Sequence, residues 1–98
     1  RKVTLPRQDM EKFQETVRQA AEKAGLVPVS VLPDVKTMAG ASAAALVNAT
    51  LKGELMNFRK FVVSLGAVPH VDQIEEVNVK QFGDNMEFKM KIWVVVSN

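Results

Sequence analysis

With 98 residues the chain has room for one domain, and a domain of this size hides only roughly 60–65% of the surface its unfolded chain exposes. A hydrophobic share of 47% excludes a disordered tail, and no apolar run approaches the ~20 residues that cross a bilayer. The lack of cysteine removes disulfides, thiolate metal sites and cysteine nucleophiles, and a net charge of +2 is too small to argue for a polyanionic partner.

Met10, Phe13, Val17, Ala20, Ala21 and Ala24 recur at spacings of three and four, with charged and amide residues between them. This spacing predicts an amphipathic helix with one stripe to bury. Pro6 suits its start, and Gly25 suits the left-handed residue just past its end. Leu26 to Leu32 predicts a short strand with Val27, Val29 and Val31 on one face. Pro28 cannot donate a ladder hydrogen bond, so the strand belongs at a sheet edge, and Pro33 ends it. Asp34 to Ala44 is small and polar and predicts a loop. Alternation resumes from Ala45 to Gly53, with Val47, Ala49 and Leu51 on one side and Asn48, Thr50 and Lys52 on the other.

The stretch from Leu51 to Pro69 shapes the second half of the chain. A strand runs into Gly53, and a helix over 54–65 follows at once. Its predicted buried stripe is Leu55, Phe58, Phe61, Val62 and Leu65, and Gly66 and Pro69 stop it. A junction this tight favours a residue without Cβ, so Gly53 is expected to hold a positive φ. Val71 to Phe82 predicts a third strand with Val77 and Val79 facing in, and Gly83-Asp84-Asn85 is hairpin turn chemistry. Met86 to Val96 is the cleanest strand. Met86, Phe88, Met90, Ile92, Val94 and Val96 share one face, while Glu87, Lys89, Lys91, Trp93 and Val95 share the other.

Helix, strand, strand is thus used twice. Short connections and right-handed crossovers leave few arrangements. The most economical is an α+β, ferredoxin-like two-layer sandwich, circularly permuted to αββαββ. It has a four-stranded antiparallel sheet with two helices on one face. The last strand is then central, the Pro28 strand is at an edge, and the second sheet face is open.

No constellation for catalysis is visible, and the chain is expected to be no enzyme, with no cofactor and no metal. His70 is the only histidine and reads as a loop surface residue. Asp72, Glu75 and Glu76 have no matching ligand set elsewhere. Ser30 and Ser64 sit in no nucleophile elbow, and Gly53 and Gly66 form no phosphate loop. Asn48-Ala49-Thr50 is a chance glycosylation match inside a strand. Lys52, Lys80, Lys89, Lys91 and Trp93 would share the open face. An RNA-binding sheet face stacks bases on aromatics, but one ring is too few and Glu87 dilutes the charge. Lysine stems over a solvated sheet are the plain alternative. A protein interface uses Trp93 and Val95 as anchors, with Leu26 and Leu32 of the edge strand beside them.

The pattern through Val47, Ala49, Leu51, Gly53, Phe58, Phe61, Val62, Leu65 and Pro69 resembles the periplasmic domain of the PilO family. The likeness continues into Ile74-Glu75-Glu76-Val77 and the final strand, and Leu5-Pro6 before a helix fits it too. These proteins belong to the inner-membrane alignment subcomplex of type IV pilus machines. The M component of type II secretion systems has a similar helix-strand-strand repeat and stays open as an alternative. The resemblance implies a single periplasmic domain over residues 1–98, excised from a longer protein, with residues 1–6 ending a preceding coiled coil or linker. A transmembrane helix would precede Arg1 and anchor the protein in a bacterial inner membrane. The implied role is non-enzymatic. The domain would form a homodimer, or a heterodimer with a PilN-like protein of the same fold, and would reach a PilP-like lipoprotein. It would bind no nucleic acid. Gly53, Phe58, Phe61, Leu65 and Pro69 would be its structural motif.

Overall fold

The computed structural model describes residues 3–40 and 42–98. The elements in chain order are β1 (Leu5–Pro6), a 3-10 turn (Arg7–Asp9), α1 (Met10–Lys23), β2 (Val27–Pro33), α2 (Val35–Ala39), β3 (Ala44–Gly53), α3 (Leu55–Gly66), β4 (Val71–Phe82) and β5 (Asn85–Ser97). The architecture is α+β, with one mixed sheet of five strands and three helices.

The alternation of β5 organises the sheet. β5 pairs antiparallel with β3 along one side, from Met86 opposite Gly53 to Val95 opposite Ala44. It pairs antiparallel with β4 from Val71 opposite Val94 to Phe82 opposite Asn85. β2 adds to the outside of β3, antiparallel. β1 is a two-residue parallel stub against Val96 and Ser97. Gly83, at φ 57, opens the tight turn between β4 and β5, where a left-handed residue matches the twist of the hairpin.

One face of the sheet is dry. Phe88, Met90, Ile92, Val94 and Val96 of β5 are buried there with Ala45, Val47, Ala49 and Leu51 of β3. The helices supply the other half of the core: Met10, Phe13, Val17 and Ala21 from α1, and Phe58, Phe61 and Leu65 from α3. Phe58 and Phe88 stack with ring centroids 4.0 Å apart and planes 1° from parallel. Each such buried side chain contributes about 1.5–3 kcal/mol through burial.

Two glycines join the halves of the chain. Gly25, at φ 86, ends α1. Its N–H donates to the Glu22 carbonyl at 3.0 Å, and the Leu26 N–H donates to the Ala21 carbonyl at 2.9 Å. This paired closure needs a left-handed residue and a hydrophobe after it, and Leu26 is that hydrophobe. Gly53 holds φ 153, the positive value expected for it, and a Cβ there would lie 2.6 Å from Leu26 Cδ2. A Cβ on Gly25 would lie 2.8 Å from Asn57 Nδ2. The turn after α1 therefore seats directly on the junction between β3 and α3.

Several expectations need correction. The sheet has five strands and is mixed, because Leu5 and Pro6, expected in a linker, add a parallel stub. Residues 1 and 2 of that expected linker lie outside the described residues, as does Ala41 of the expected loop. Within that loop Val35–Ala39 is helical, with the Asp34 carboxylate accepting from the Lys36 N–H at 3.3 Å. Val27, Val29 and Val31 do not share a face: β2 is bulged between Pro28 and Ser30, and only Val31 reaches the core. Leu55 is exposed. Val77 and Val79, expected to face in, are 55% and 42% exposed, because β4 runs past the helix layer.

Candidate functional site

The second sheet face is open, and the strand register sets its contents. Directly opposed residues of neighbouring strands point to the same side. Val27, Lys52, Glu87 and Lys80 form one row across the sheet. Ser30, Thr50, Lys89 and Asn78 form the next, and Leu32, Asn48, Lys91 and Glu75 the third. Leu46, Trp93 and Gln73 follow, and Ala44 lies opposite Val95. The face thus gathers the lysines named from the sequence, with carboxylates set among them: Glu87 lies between Lys52 and Lys80, and Glu75 lies beside Lys91.

Trp93 is half-buried at one end of this face, and its Nε1 donates to Glu75 Oε1 at 3.1 Å. At the other end Lys52 Nζ stands 5.7 Å from the centroid of the Phe82 ring. Val95 is half-buried and Leu32 is exposed on the same face. Leu26 is not with them. It is 3% exposed, inside the core against Gly53, and is withdrawn from the interface set. The sequence signal was its place directly after the glycine that ends α1, where the helix closure buries a hydrophobe.

The structural motif residues have separate jobs. Phe58, Phe61 and Leu65 are core, and Gly53 is the junction. Pro69 is exposed, and its carbonyl accepts from the Val3 N–H at 3.3 Å. Next to it the His70 ring pairs through Nδ1 with the Val3 carbonyl at 2.7 Å, so the only histidine ties the first described residues to the start of β4.

Sequence reasoning passed over two polar residues. Gln14 is buried on α1, and its Nε2 donates to the Val31 carbonyl at 2.9 Å. The same carbonyl accepts from Arg18 at 3.2 Å, so α1 covers the outer strand β2. Arg7 caps α2. Its guanidinium donates to the carbonyls of Thr37 at 3.2 Å, Met38 at 3.0 Å and Ser42, and its Nε donates to Asn98 Oδ1 at 3.1 Å. A five-residue helix leaves its last carbonyls without partners of its own, and a cation there satisfies them. A polar residue inside an apolar stripe was the visible sign for Gln14. Nothing local marks Arg7.

A groove of about 500 Å³ separates α1 and α3, lined by Thr16, Gln19, Ala20, Lys23, Lys60 and Ser64 among others. Its walls bring two lysines together with small residues and hold no carboxylate or imidazole. Among the described residues no group of three His, Cys, Asp or Glu could hold a metal ion. Glu75 and Glu76 belong to opposite faces of the sheet, opposite Lys91 and Met90 respectively. No helix among the described residues is long and apolar enough to cross a membrane. In comparison with known proteins, no family model matches the chain and no curated protein matches it.

Proposed function

We propose that the chain is a non-enzymatic scaffold domain of the PilO type, which holds components of a type IV pilus machine in register through protein contacts. On this reading the fold is a circularly permuted ferredoxin-like sandwich, with β1 an addition to the αββαββ core. The observation that supports it is the strand path β4–β5–β3–β2, with α1 and α3 contributing to one core. An αββ unit is used twice, and Gly53 sits at the tight junction that the resemblance makes prominent. The open face, with Trp93, Val95 and Leu32 at one end, offers a docking surface. The domain would work in the periplasm as part of a protein anchored in the inner membrane, paired with itself or with a PilN-like protein, and in reach of a PilP-like lipoprotein. An M-type scaffold of type II secretion would use the same surfaces.

The RNA reading has less support. The lysines of the open face alternate with Glu75 and Glu87, and the indole N–H of Trp93 is already engaged by Glu75. A single ring without a second platform beside it gives little stacking.

The deciding experiment combines the coding sequence upstream of Arg1 with co-expression. An apolar span of ~20 residues followed by heptads, and co-purification with PilN-like and PilP-like proteins, is the expected result. An upstream sequence without such a span overturns the scaffold reading. A salt-dependent shift of single-stranded RNA, abolished by Trp93→Ala, would favour the RNA module in its place.

A further inference from the structure

The outer edge of β4 is open from Gln73 to Phe82. Among the described residues β4 pairs with β5, and from Gln73 to Phe82 no further strand lies along its other edge. It is twelve residues long and contains no proline. Residues 75–82 are exposed on both faces, and Val77, Val79 and Phe82 are among them. A long edge strand with apolar residues in water is a template for another strand.

We propose that the occupant is a second copy of this chain, paired antiparallel through β4 about a two-fold axis. The inference rests on the part of the scaffold reading that has the chain associating, and adds the surface and the occupant. The strand is complementary to a second copy of itself. Two copies related by a two-fold axis continue one sheet, and opposed residues must then lie on the same face. Glu75 and Lys80 are an odd number of residues apart, which in a regular strand puts them on opposite faces. The bulge between Glu76 and Asn78 reverses that. Glu75 lies opposite Lys91 and Lys80 opposite Glu87, both on the open face. With the axis between Val77 and Asn78, Glu75 of each copy meets Lys80 of the other. In the same register Glu76 meets Val79 and Ile74 meets Gln81 on the core side, and Gln73 meets Phe82 on the open side. The bulge is what makes the strand self-complementary in charge.

The test is a charge swap read by sedimentation equilibrium. The unaltered chain should dimerise. Glu75→Lys and Lys80→Glu, each alone, put like charges together twice and should weaken self-association about tenfold or more. An equimolar mixture of the two variants restores both opposite-charge pairs and should dimerise as the unaltered chain does. So should the double variant. Thermal melting checks that each variant folds. Because Glu75→Lys also removes the Trp93 hydrogen bond, recovery in the mixture is the decisive readout. A strict monomer at high concentration, unchanged association of both single variants, or a mixture that stays weak overturns the inference. A monomer that still co-purifies with a PilN-like protein leaves the scaffold reading standing. A swap that behaves as expected in a protein with no upstream span leaves the pairing and removes the pilus.

Discussion

The two edges of the sheet are built in opposite ways. β2 is seven residues long, carries Pro28 and Pro33, and is bulged between Pro28 and Ser30. Its Val31 carbonyl is taken by Gln14 and Arg18 of α1. β4 is twelve residues long, has no proline, and leaves the helix layer behind after Ile74. Proteins blunt sheet edges with proline, bulges and covering elements. Here the full set of devices is spent on one side. The other side keeps only charges and bulges, and its bulge at Val77 aligns Glu75 with Lys80. One edge ends the sheet and the other is left able to extend it.

Four substitutions test that contrast by urea unfolding. Phe58→Ala removes the ring stacked on Phe88 beneath the centre of the sheet and should cost about 3–5 kcal/mol, loosening both edges together. Gly53→Val combines a positive φ with a Cβ against Leu26, and should cost roughly 2–3 kcal/mol. Its loss should be lopsided: hydrogen exchange should quicken in β2, which starts beside Leu26, more than in β4. Gln14→Leu takes away one of two donors to Val31 and should cost about 1 kcal/mol, with exchange again changed on the β2 side. Val79→Thr on β4 should move stability by no more than about 0.5 kcal/mol, because the side chain is already in water. A large loss at Val79 would mean that this flank is covered, and the contrast between the edges would fail.

The second half of the chain was the more legible in sequence. β4 runs over the residues expected, Val71–Phe82, and β5 alternates as expected, because long strands repeat their signal many times. Gly53 announced itself by standing between a strand and a helix with no spacer. What the sequence hid were features that local periodicity does not encode. The two residues of β1 find their partners 91 positions on, at Val96 and Ser97. α2 is a single turn and more, set by Asp34 and Thr37 and not by an apolar stripe. The bulges in β2 and β4 break the alternation at Val27, Val29 and Val77, whereas Val79 keeps the core side opposite Phe88 and is exposed because β4 has run past the helix layer there. For the surface, the register reproduced the grouping of Lys52, Lys80, Lys89, Lys91 and Trp93. Leu26 was misplaced because one apolar residue after a helix reads equally well as exposed or buried unless the helix closure is taken into account.

Arg7 has a topological consequence. Its bond to Asn98 brings the start of the helical layer beside the residue that follows β5. The stretch from Arg7 to Asn98 thus nearly closes on itself. A short link between Asn98 and Arg7 would close that stretch, and a new opening could be cut at Gly83 and Asp84, where the tight turn has open space around it. The order in which the units are read along the chain is then a choice of starting point on a ring.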